Sequence, residues 1–276
     1  GVKMYQKFHR ACWLEIDLGR IKHNFREIQN MAGKQVIIMP AVKANGYGHG
    51  VVMACKALEE AGAKILAVGN IDEAIHVRKA GVKCRIVIFA SNLIEEVADL
   101  YTEYDLTPTV MYAFQAKAIS EAAVRAGKEI GVFVKMETGR GRLGINAEET
   151  PEMIREIAQY PQITVEGLYS HFAYAGWDMT KRAYPDWQYE RFITALDQIE
   201  SYGIHIPFAQ LVNTPGGIVY PDMRLTGMCP GRGIWGYSPV EIRNGEHLKE
   251  GCPDLQAAMI SWKSRLLIVK ETMGGK

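Results

Sequence analysis

The arrangement of apolar runs constrains the fold of this 276-residue chain more than any other feature. Short runs rich in aliphatic and β-branched residues alternate with longer stretches of helical period, which is typical of repeated βα units around a parallel sheet. We predict eight buried strands, at residues 35–42, 64–68, 85–89, 106–110, 130–136, 165–170, 208–212 and 225–228. We predict helices at 50–61, 71–80, 112–126, 147–159 and 186–202. Eight parallel strands close naturally into a barrel, and no GxGxxG turn of an open doubly wound sheet follows the first strand, so we predict an α/β fold of the (β/α)₈ (TIM) barrel type.

Two further strands are predicted outside this pattern, at 12–17 and 260–270. A lone edge strand exposes unpaired backbone groups, so we expect the second to be stable only if it pairs with the first. The polar segment 241–253 separates the second strand from the barrel. We therefore predict a barrel with its N-terminal strand at 1–245 and the start of an incomplete C-terminal β domain at 246–276.

The charge of the chain is almost balanced, with 32 basic and 31 acidic side chains and a formal net charge of +1. This balance gives no electrostatic reason to expect nucleic acid or an anionic membrane as a partner, which leaves small molecules. The five cysteines show no CxxC spacing, which argues against zinc and disulfides and favours a reducing, cytoplasmic compartment. No run reaches the roughly 18 apolar residues of a membrane span, and the seven histidines form no evident metal cluster.

Lys43 follows the first predicted strand directly, at the end of a barrel where active sites lie. Burial there would favour the neutral amine, which attacks an aldehyde to form a Schiff base and can later accept a proton. The alternative is an ordinary lysine whose ammonium group reaches the rim of the barrel. Position alone does not decide between the two.

The fifth predicted strand leads into Lys135 and then into a glycine-rich loop that carries Arg140 and Arg142. An arginine on such a loop can hold a substrate carboxylate or a phenolate oxygen with two parallel hydrogen bonds. A solvated basic loop is the alternative interpretation.

Further polar residues end the last three predicted strands: His171, Asn213 with Thr214, and the stretch 229–233. Backbone N–H groups in the last two turns could hold a phosphate, as the corresponding loops of barrels often do. A lone histidine is more often structural than catalytic, so the shared position at strand ends is the stronger indication.

The stretch Ala-Val-Lys-Ala-Asn-Gly-Tyr-Gly-His-Gly at 41–50 resembles the cofactor-lysine signature of alanine racemases. The similarity continues through 13–17, 135–144, 170–172, Asn213 and 229–239, and so spans nearly the whole chain. The resemblance implies a pyridoxal 5′-phosphate (PLP) enzyme, an isomerase that interconverts L- and D-amino acids, alanine or a relative of it, through a Schiff base on Lys43. It also implies a cytoplasmic homodimer that serves cell-wall biosynthesis.

The resemblance assigns roles to residues of this chain. Lys43 would be one of two catalytic bases, Arg142 would contact the phenolic oxygen of PLP and the substrate carboxylate, and His171 would lie near the ring. Lys135 corresponds to a lysine that is carbamylated in many members and steadies the arginine. The residues that would surround the phosphate are Tyr47, Asn213, Thr214, Gly231 and the amide of Arg232.

Three departures from the family pattern affect these expectations. Cys229 stands where an arginine usually faces the pyridine nitrogen, with Arg232 as a substitute only if its loop is rearranged. Arg140 replaces a usually apolar residue, which would place an extra cation in the pocket and make a substrate other than alanine an alternative. Family members also continue into a β domain whose tyrosine supplies the second base to the partner subunit, and racemisation needs proton transfer on both faces of Cα.

Two other functions remain as alternatives. A non-catalytic, single-domain PLP-binding barrel of the cofactor-homeostasis kind would fit the length of the chain. An aldolase or decarboxylase on the same barrel would be revealed by a metal requirement or by release of carbon dioxide.

Overall fold

The computed structural model describes residues 10–89, 93–238, 240–271 and 274. Its strands are β1 Cys12–Ile16, β2 Ile37–Ile38, β3 Ile65–Val68, β4 Arg85–Ile88, β5 Thr109–Val110, β6 Ile130–Glu137, β7 Ile145–Asn146, β8 Ile163–Tyr169, β9 Phe208–Gln210, β10 Gly227–Met228, β11 Arg243–Asn244, β12 His247–Leu248 and β13 Met259–Ser264. Its helices are α1 Leu18–Ala32, α2 Lys43–Tyr47, α3 Val51–Ala61, α4 Ile71–Lys79, α5 Ile94–Glu103, α6 Ala113–Ala126, α7 Thr150–Ile157, α8 Ala183–Ser201 and α9 Thr214–Val219. Short 3₁₀ helices lie at Met179–Lys181, Pro221–Met223 and Arg232–Trp235.

All eight predicted barrel strands are present, as β2 to β6 and β8 to β10. Parallel ladders join β3 to β4, β10 to β2, and β5, β6, β8 and β9 in that order. Single parallel bridges, Ala41 with Ala67 and Val87 with Thr107, connect these pieces. Between β9 and β10 the N–H of Cys229 donates to the carbonyl of Val212 at 3.1 Å. The chain therefore has an α/β, TIM-barrel-like fold, but its regular ladders form separate sheets and not the continuous closed barrel of the prediction.

Prolines explain why two of the strands are shorter than predicted. Pro40 and Pro108 lie within the predicted strands 35–42 and 106–110, and proline has no N–H to donate to a ladder. Their carbonyls still accept hydrogen bonds from the neighbouring strands, at 2.9 Å in both cases. The chain thus stays extended at these points while regular pairing shrinks to the two residues of β2 and of β5.

The interior of the strand ring is filled by large side chains. Seven buried residues, from β3, β4, β6, β8 and β9 and from the position after β2, form one cluster: Met39, Ile65, Ala67, Val87, Phe133, Tyr169 and Phe208. The rings of Phe133 and Phe208 lie 5.3 Å apart, and each lies against a glycine, Gly167 and Gly227 respectively, where a Cβ would overlap the ring. This packed layer closes the interior beneath the loops that follow the strands.

The predicted terminal strands pair with each other. β1 and β13 form a two-stranded antiparallel sheet with Cys12 opposite Ser264 and Ile16 opposite Met259. The prediction of a strand up to residue 270 is wrong beyond Ser264, because residues 265–271 contain no strand. The polar segment 241–253 holds the short β11–β12 hairpin. The predicted division of the chain at residue 245 stays a prediction.

The five predicted helices correspond to α3, α4, α6, α7 and α8, with ends that shift by at most three residues. α7 begins at Thr150 and carries a proline in its first turn, where the missing N–H costs nothing. Among the described residues, no helix combines the length and the apolar character needed to cross a membrane.

Candidate active site

A cavity of about 760 Å³ opens at the carboxyl ends of the strands. Every residue predicted to take part in catalysis or cofactor binding contributes to its wall: Lys43, Tyr47, Lys135, Arg142, His171, Asn213, Thr214, Cys229, Gly231 and Arg232. These residues lie up to 189 positions apart in sequence. Lys135 lies within β6, and the others follow β2, β6, β8, β9 and β10. The structure therefore brings the predicted residues together, while their individual roles stay predictions.

Lys43 is held by an unusual backbone turn. The next four residues, Ala44 to Tyr47, all have positive φ angles, between 53° and 62°. L-residues other than glycine pay roughly 1–2 kcal/mol each in this left-handed region. Such strain persists only where surrounding contacts maintain it, and it occurs most often at functional sites.

Glu73 of α4 supplies those contacts. One carboxylate oxygen accepts the N–H of Asn45 at 2.8 Å, and the other accepts the N–H of Gly69 at 2.9 Å. The side-chain oxygen of Asn45 in turn accepts the N–H of Val51, at the start of α3, at 3.0 Å. The turn is thus tied to α3 and to the loop after β3. Lys43 Nζ lies 5.9 Å from the ring centroid of Phe89, at the end of β4.

Lys135 lies deeper than Lys43, with a relative exposure of 5%. Its Nζ lies 4.7 Å from the centroid of the Tyr169 ring. Burial, reinforced by the positive charge of Arg142, lowers the pKa of Lys135 to about 7. A substantial fraction of this lysine is therefore uncharged at neutral pH.

The loop that carries Arg140 and Arg142 is organised by Glu137, the last residue of β6. Its carboxylate accepts the backbone N–H groups of Gly139, Arg140 and Arg142, the last at 3.0 Å. Although burial acts to raise the pKa of Glu137, these hydrogen bonds hold it below its ordinary value. The carboxylate therefore stays ionised and fixes the loop.

Arg140 lines the cavity together with Arg142. Because Arg140 stands where the family usually has an apolar residue, we predicted this extra cation in the pocket. Its Nη1 donates to the carbonyls of Phe172 and Ala173, at 3.0 and 3.1 Å. This extra cation thus bridges the loops that follow β6 and β8.

His171 is neutral over most of the pH range. Its Nδ1–H donates to the carbonyl of Phe172 at 2.8 Å, because a carbonyl oxygen can only accept. Burial lowers the pKa of His171 to about 4, and the cationic side chains of Lys135, Arg140 and Arg142 act in the same direction. The neutral ring carries its lone pair on Nε2.

The loops that follow β9 and β10 offer hydroxyl groups and backbone to the cavity. Asn213 caps α9 by accepting the N–H of Gly216 at 3.0 Å, and Thr214 Oγ1 accepts the N–H of Gly233 at 3.2 Å. A Cβ on Gly231 would lie 2.6 Å from the Tyr47 hydroxyl, so the glycine lets the backbone and this phenol come close together. Close backbone, a phenol and a helix start suit the phosphate of PLP, and Lys43 offers the amine for its aldehyde. The residues present therefore fit the cofactor.

Cys229 lies at the base of the cavity, near Lys135 and Lys43. Burial raises the pKa of its thiol to about 12, even though both lysines act to lower it. The group at the predicted position of the pyridine-nitrogen partner is therefore an uncharged thiol. Arg232 begins a 3₁₀ helix and also lines the cavity.

Two carboxylates that organise the site were missed by sequence reasoning. Glu137 could have been found, because it lies at the end of a predicted strand between Lys135 and Arg142. Glu73 could not, since an acidic residue in the first turn of a helix is ordinary helix chemistry. Among the described residues, no group of three His, Cys, Asp or Glu side chains could hold a metal ion.

Known proteins resemble this chain over most of its length. The family described as alanine racemase, N-terminal domain, matches residues 16–239. Alanine racemase of Methanococcus maripaludis is 36% identical over 248 residues, which are 90% of this chain and 64% of that protein. Alanine racemase of Desulforamulus reducens is 36% identical over 265 residues, with shares of 95% and 69%.

Solved structures give the same result. Alanine racemase of Clostridium difficile 630 in complex with cycloserine superposes with a TM-score of 0.87 at 27% identity, covering 96% of this chain and 71% of that one. The Bacillus anthracis enzyme with bound L-Ala-P gives a TM-score of 0.79 at 28% identity, with shares of 92% and 64%. The match thus extends over most of this chain and about two thirds of its relatives, and the chain belongs to the alanine racemase family.

Proposed function

We propose that this protein is a PLP-dependent amino-acid racemase, an isomerase acting on alanine or a related small amino acid. The observation that carries the proposal is the convergence of Lys43, Arg142, His171 and the phosphate-side residues on one cavity. The ligands of two solved relatives, cycloserine and L-Ala-P, support a small amino acid as the substrate class.

PLP would supply an electron sink that makes the Cα proton of an amino acid removable. Lys43 would hold the cofactor's aldehyde through its amine, and Arg142 would bind the phenolic oxygen and the substrate carboxylate. Tyr47, Asn213, Thr214, Gly231 and the amide of Arg232 would hold the phosphate.

The charge states of the chain's own residues suit this chemistry. Lys43 Nζ, once released from the aldehyde, would accept or return the proton on its face of Cα. The neutral thiol of Cys229 would leave the pyridine nitrogen without a cation at the predicted partner position, and the imidazole of His171 near the ring is also neutral. We propose that the base for the other face comes from a second copy of the chain, as the resemblance implies, and that the active form is a homodimer.

We also propose that Lys135 is carbamylated. The neutral amine is the form that adds to carbon dioxide, with loss of one proton, and the lowered pKa of Lys135 supports its presence. Arg142 would then pair with the carbamate. ¹³C-bicarbonate should give a carbamate signal in ¹³C NMR that disappears in Lys135→Met, and an unchanged spectrum would contradict the modification.

Two further proposals concern the closure of the barrel and the location of the protein. We propose that the eight parallel strands make a closed (β/α)₈ barrel, which the cyclic order of ladders and bridges supports. We also propose a reducing, cytoplasmic location, which the free thiols of all five cysteines support.

The test is the absorbance of the purified protein at about 420 nm, before and after borohydride, followed by analysis of D and L products across a panel of amino acids. We expect a yellow protein, cofactor fixed on Lys43 by reduction, and interconversion of enantiomers. Lys43→Ala should abolish both the fixation and the turnover. A yellow protein without turnover would support a cofactor carrier, and a colourless protein that binds no PLP would overturn the cofactor assignment.

A further inference from the structure

One buried glutamine joins two loops of the site: the arginine loop after β6, which carries Arg140 and Arg142, and the histidine loop after β8, which carries His171. Gln188 of α8 has no exposed surface. Its Oε1 accepts the N–H of Ala173 at 2.9 Å, and its Nε2 donates to Thr138 Oγ1 at 3.2 Å and to the carbonyl of His171 at 3.4 Å. Thr138 Oγ1 also shares a hydrogen bond with Ser170 Oγ at 2.8 Å. Both ends of the amide are therefore used: Oε1 binds the loop after β8, and Nε2 binds both loops.

The same face of α8 holds the next residue of the arginine loop. The Tyr184 hydroxyl donates to the carbonyl of Gly139 at 2.5 Å, and a Cβ on Gly139 would lie 2.5 Å from the Trp187 ring. Arg191 lies 4.8 Å over that ring and makes two hydrogen bonds to Glu148. The α8 residues follow one another at intervals of three, one and three, which places them on one stripe of the helix.

Burying the Gln188 amide costs free energy that its hydrogen bonds must offset. A buried amide loses its hydration, and a side chain such as methionine would fill a similar volume without that loss. What the amide adds is a fixed distance between Thr138, two residues before Arg140, and the backbone on both sides of Phe172. The α8 stripe therefore defines the separation of the two loops.

We propose that Gln188 is a positioning residue that sets the spacing between the arginine loop and the histidine loop, and thereby the grip of Arg142 on a substrate carboxylate. The inference rests on the proposed racemase function. The cofactor's phosphate is expected at Tyr47 and Asn213 and its aldehyde at Lys43, and none of these residues belongs to the Gln188 network. Loss of the network should therefore weaken substrate binding, which depends on Arg142, far more than cofactor binding.

The experiment uses three variants and a control in the full chain. Gln188→Met removes all three hydrogen bonds of the glutamine. Thr138→Val removes the two hydrogen bonds of the hydroxyl, to Gln188 and Ser170, at nearly constant shape, and Thr138→Ser keeps the hydroxyl. Gln198→Met, an exposed glutamine on the same helix, is the control. PLP dissociation constants, KM and kcat for D- and L-alanine, and amide hydrogen exchange of residues 138–144 are measured for each.

We expect KM to rise roughly 10-fold in Gln188→Met, which loses three hydrogen bonds, and about 3-fold in Thr138→Val, which loses two. PLP affinity should stay within about 2-fold, and exchange at residues 139–142 should accelerate by about 10-fold through freer local opening. Thr138→Ser and Gln198→Met should match the wild type.

Unchanged KM and unchanged exchange in a folded Gln188→Met or Thr138→Val protein would overturn the proposal, even if the melting temperature fell. If Gln188→Met does not fold, the comparison of Thr138→Val with Thr138→Ser decides. A wild-type protein that binds PLP but racemises nothing would refute the proposed function, while the exchange measurements would still accept or reject the loop-spacing role.

Discussion

Burial decides the charge of the ionisable side chains in the cavity. It lowers the pKa values of Lys135 and His171, to about 7 and about 4, and raises the pKa of Cys229 to about 12. At neutral pH the thiol and the imidazole are therefore uncharged, and the two arginines of the β6 loop remain as fixed cations. A site built this way offers the two arginines of the β6 loop to anionic groups of ligands, beside an uncharged thiol and an uncharged imidazole.

Lys135 should make the free energy of unfolding rise with pH, whereas a lysine in an ion pair makes it fall. Its pKa is lower in the folded than in the unfolded chain, so the unfolded state binds more protons between pH 7 and the ordinary value of 10.5. The free-energy cost of burying the charged Lys135 amine is fully present below pH 7 and disappears as the pH rises to 10.5. Lys135→Met should be more stable than the wild type at pH 7, by an amount that falls by about 1.4 kcal/mol per pH unit above it.

Urea unfolding at pH 7, 8 and 9 measures this slope. Lys117→Met, at an exposed lysine of α6, is the control and should follow the wild type. Equal slopes for the wild type and Lys135→Met would contradict the lowered pKa. Unfolding should be measured without added bicarbonate, so that the free amine is the species compared.

His171 should remain neutral throughout the pH range in which the enzyme is assayed. Burial opposes its protonation, and the lowered pKa of about 4 places its titration below pH 5. Histidine NMR of the protein between pH 5 and 8 should show no shift of the His171 ring signals, with free imidazole added as the internal reference. A His171 titration near the ordinary value of 6.5 would mean that the ring is solvated.

At the scale of elements, the N-terminal helix anchors the segment before β13. Asn24 of α1 is fully buried; it donates to the carbonyls of Ile234 and Gln256 and accepts the N–H of Gln256 at 2.7 Å. Gly236 lies against the same segment with φ of 88°, and a Cβ on it would overlap the carbonyl of Gln256. α1, the 3₁₀ helix Arg232–Trp235 and the chain entering β13 therefore form one packed unit.

Gly236→Ala should destabilise the protein by roughly 3 kcal/mol, from overlap and backbone strain together. Gly203→Ala is a matched control, because its φ of 77° is also positive but a Cβ there would meet nothing within 4 Å. It should cost only about 1 kcal/mol, the price of the conformation alone. Chemical denaturation of both variants measures the difference, and equal losses would show that the contact with Gln256 relaxes freely.

The strands were predictable because each is a buried apolar run, while their ends were not. Periodicity cannot show where a ladder stops, and Pro40 and Pro108 interrupt pairing inside runs that still look continuous. The cavity residues were predictable for two reasons. The carboxyl ends of parallel barrel strands lie together at one end of the barrel, and the stretch 41–50 matches a specific motif of alanine racemases. Glu73 and Gln188 carried no signal, since their contacts join residues that only the tertiary fold brings together.

At the scale of the whole molecule, order is distributed unevenly. β6 and β8 are buried over most of their length, whereas the residues of β1 and β13 are partly or largely exposed. Residues 265–271 have no regular structure, and the four apolar side chains from Leu266 to Val269 are 68–88% exposed. Local opening should therefore begin at this end of the chain.

Limited trypsin digestion should cut first after Arg265 or Lys270 and leave a resistant product that contains residues 35–238. Mass spectrometry of the early fragments identifies the site. First cleavage within the loops of the cavity, for example after Arg140, would show that the arginine loop opens more readily than the C-terminal segment, against the packing described for α8.

The turn after Lys43 also has a stereochemical consequence. Four successive residues there adopt the helical hand that D-amino acids prefer, so the segment is a short piece of mirror-image helix within an L-protein. A semisynthetic chain with D-alanine at position 44 should fit this backbone without strain. In the protein that we propose to be an amino-acid racemase, the four residues directly after Lys43 thus have the backbone conformation that D-residues prefer.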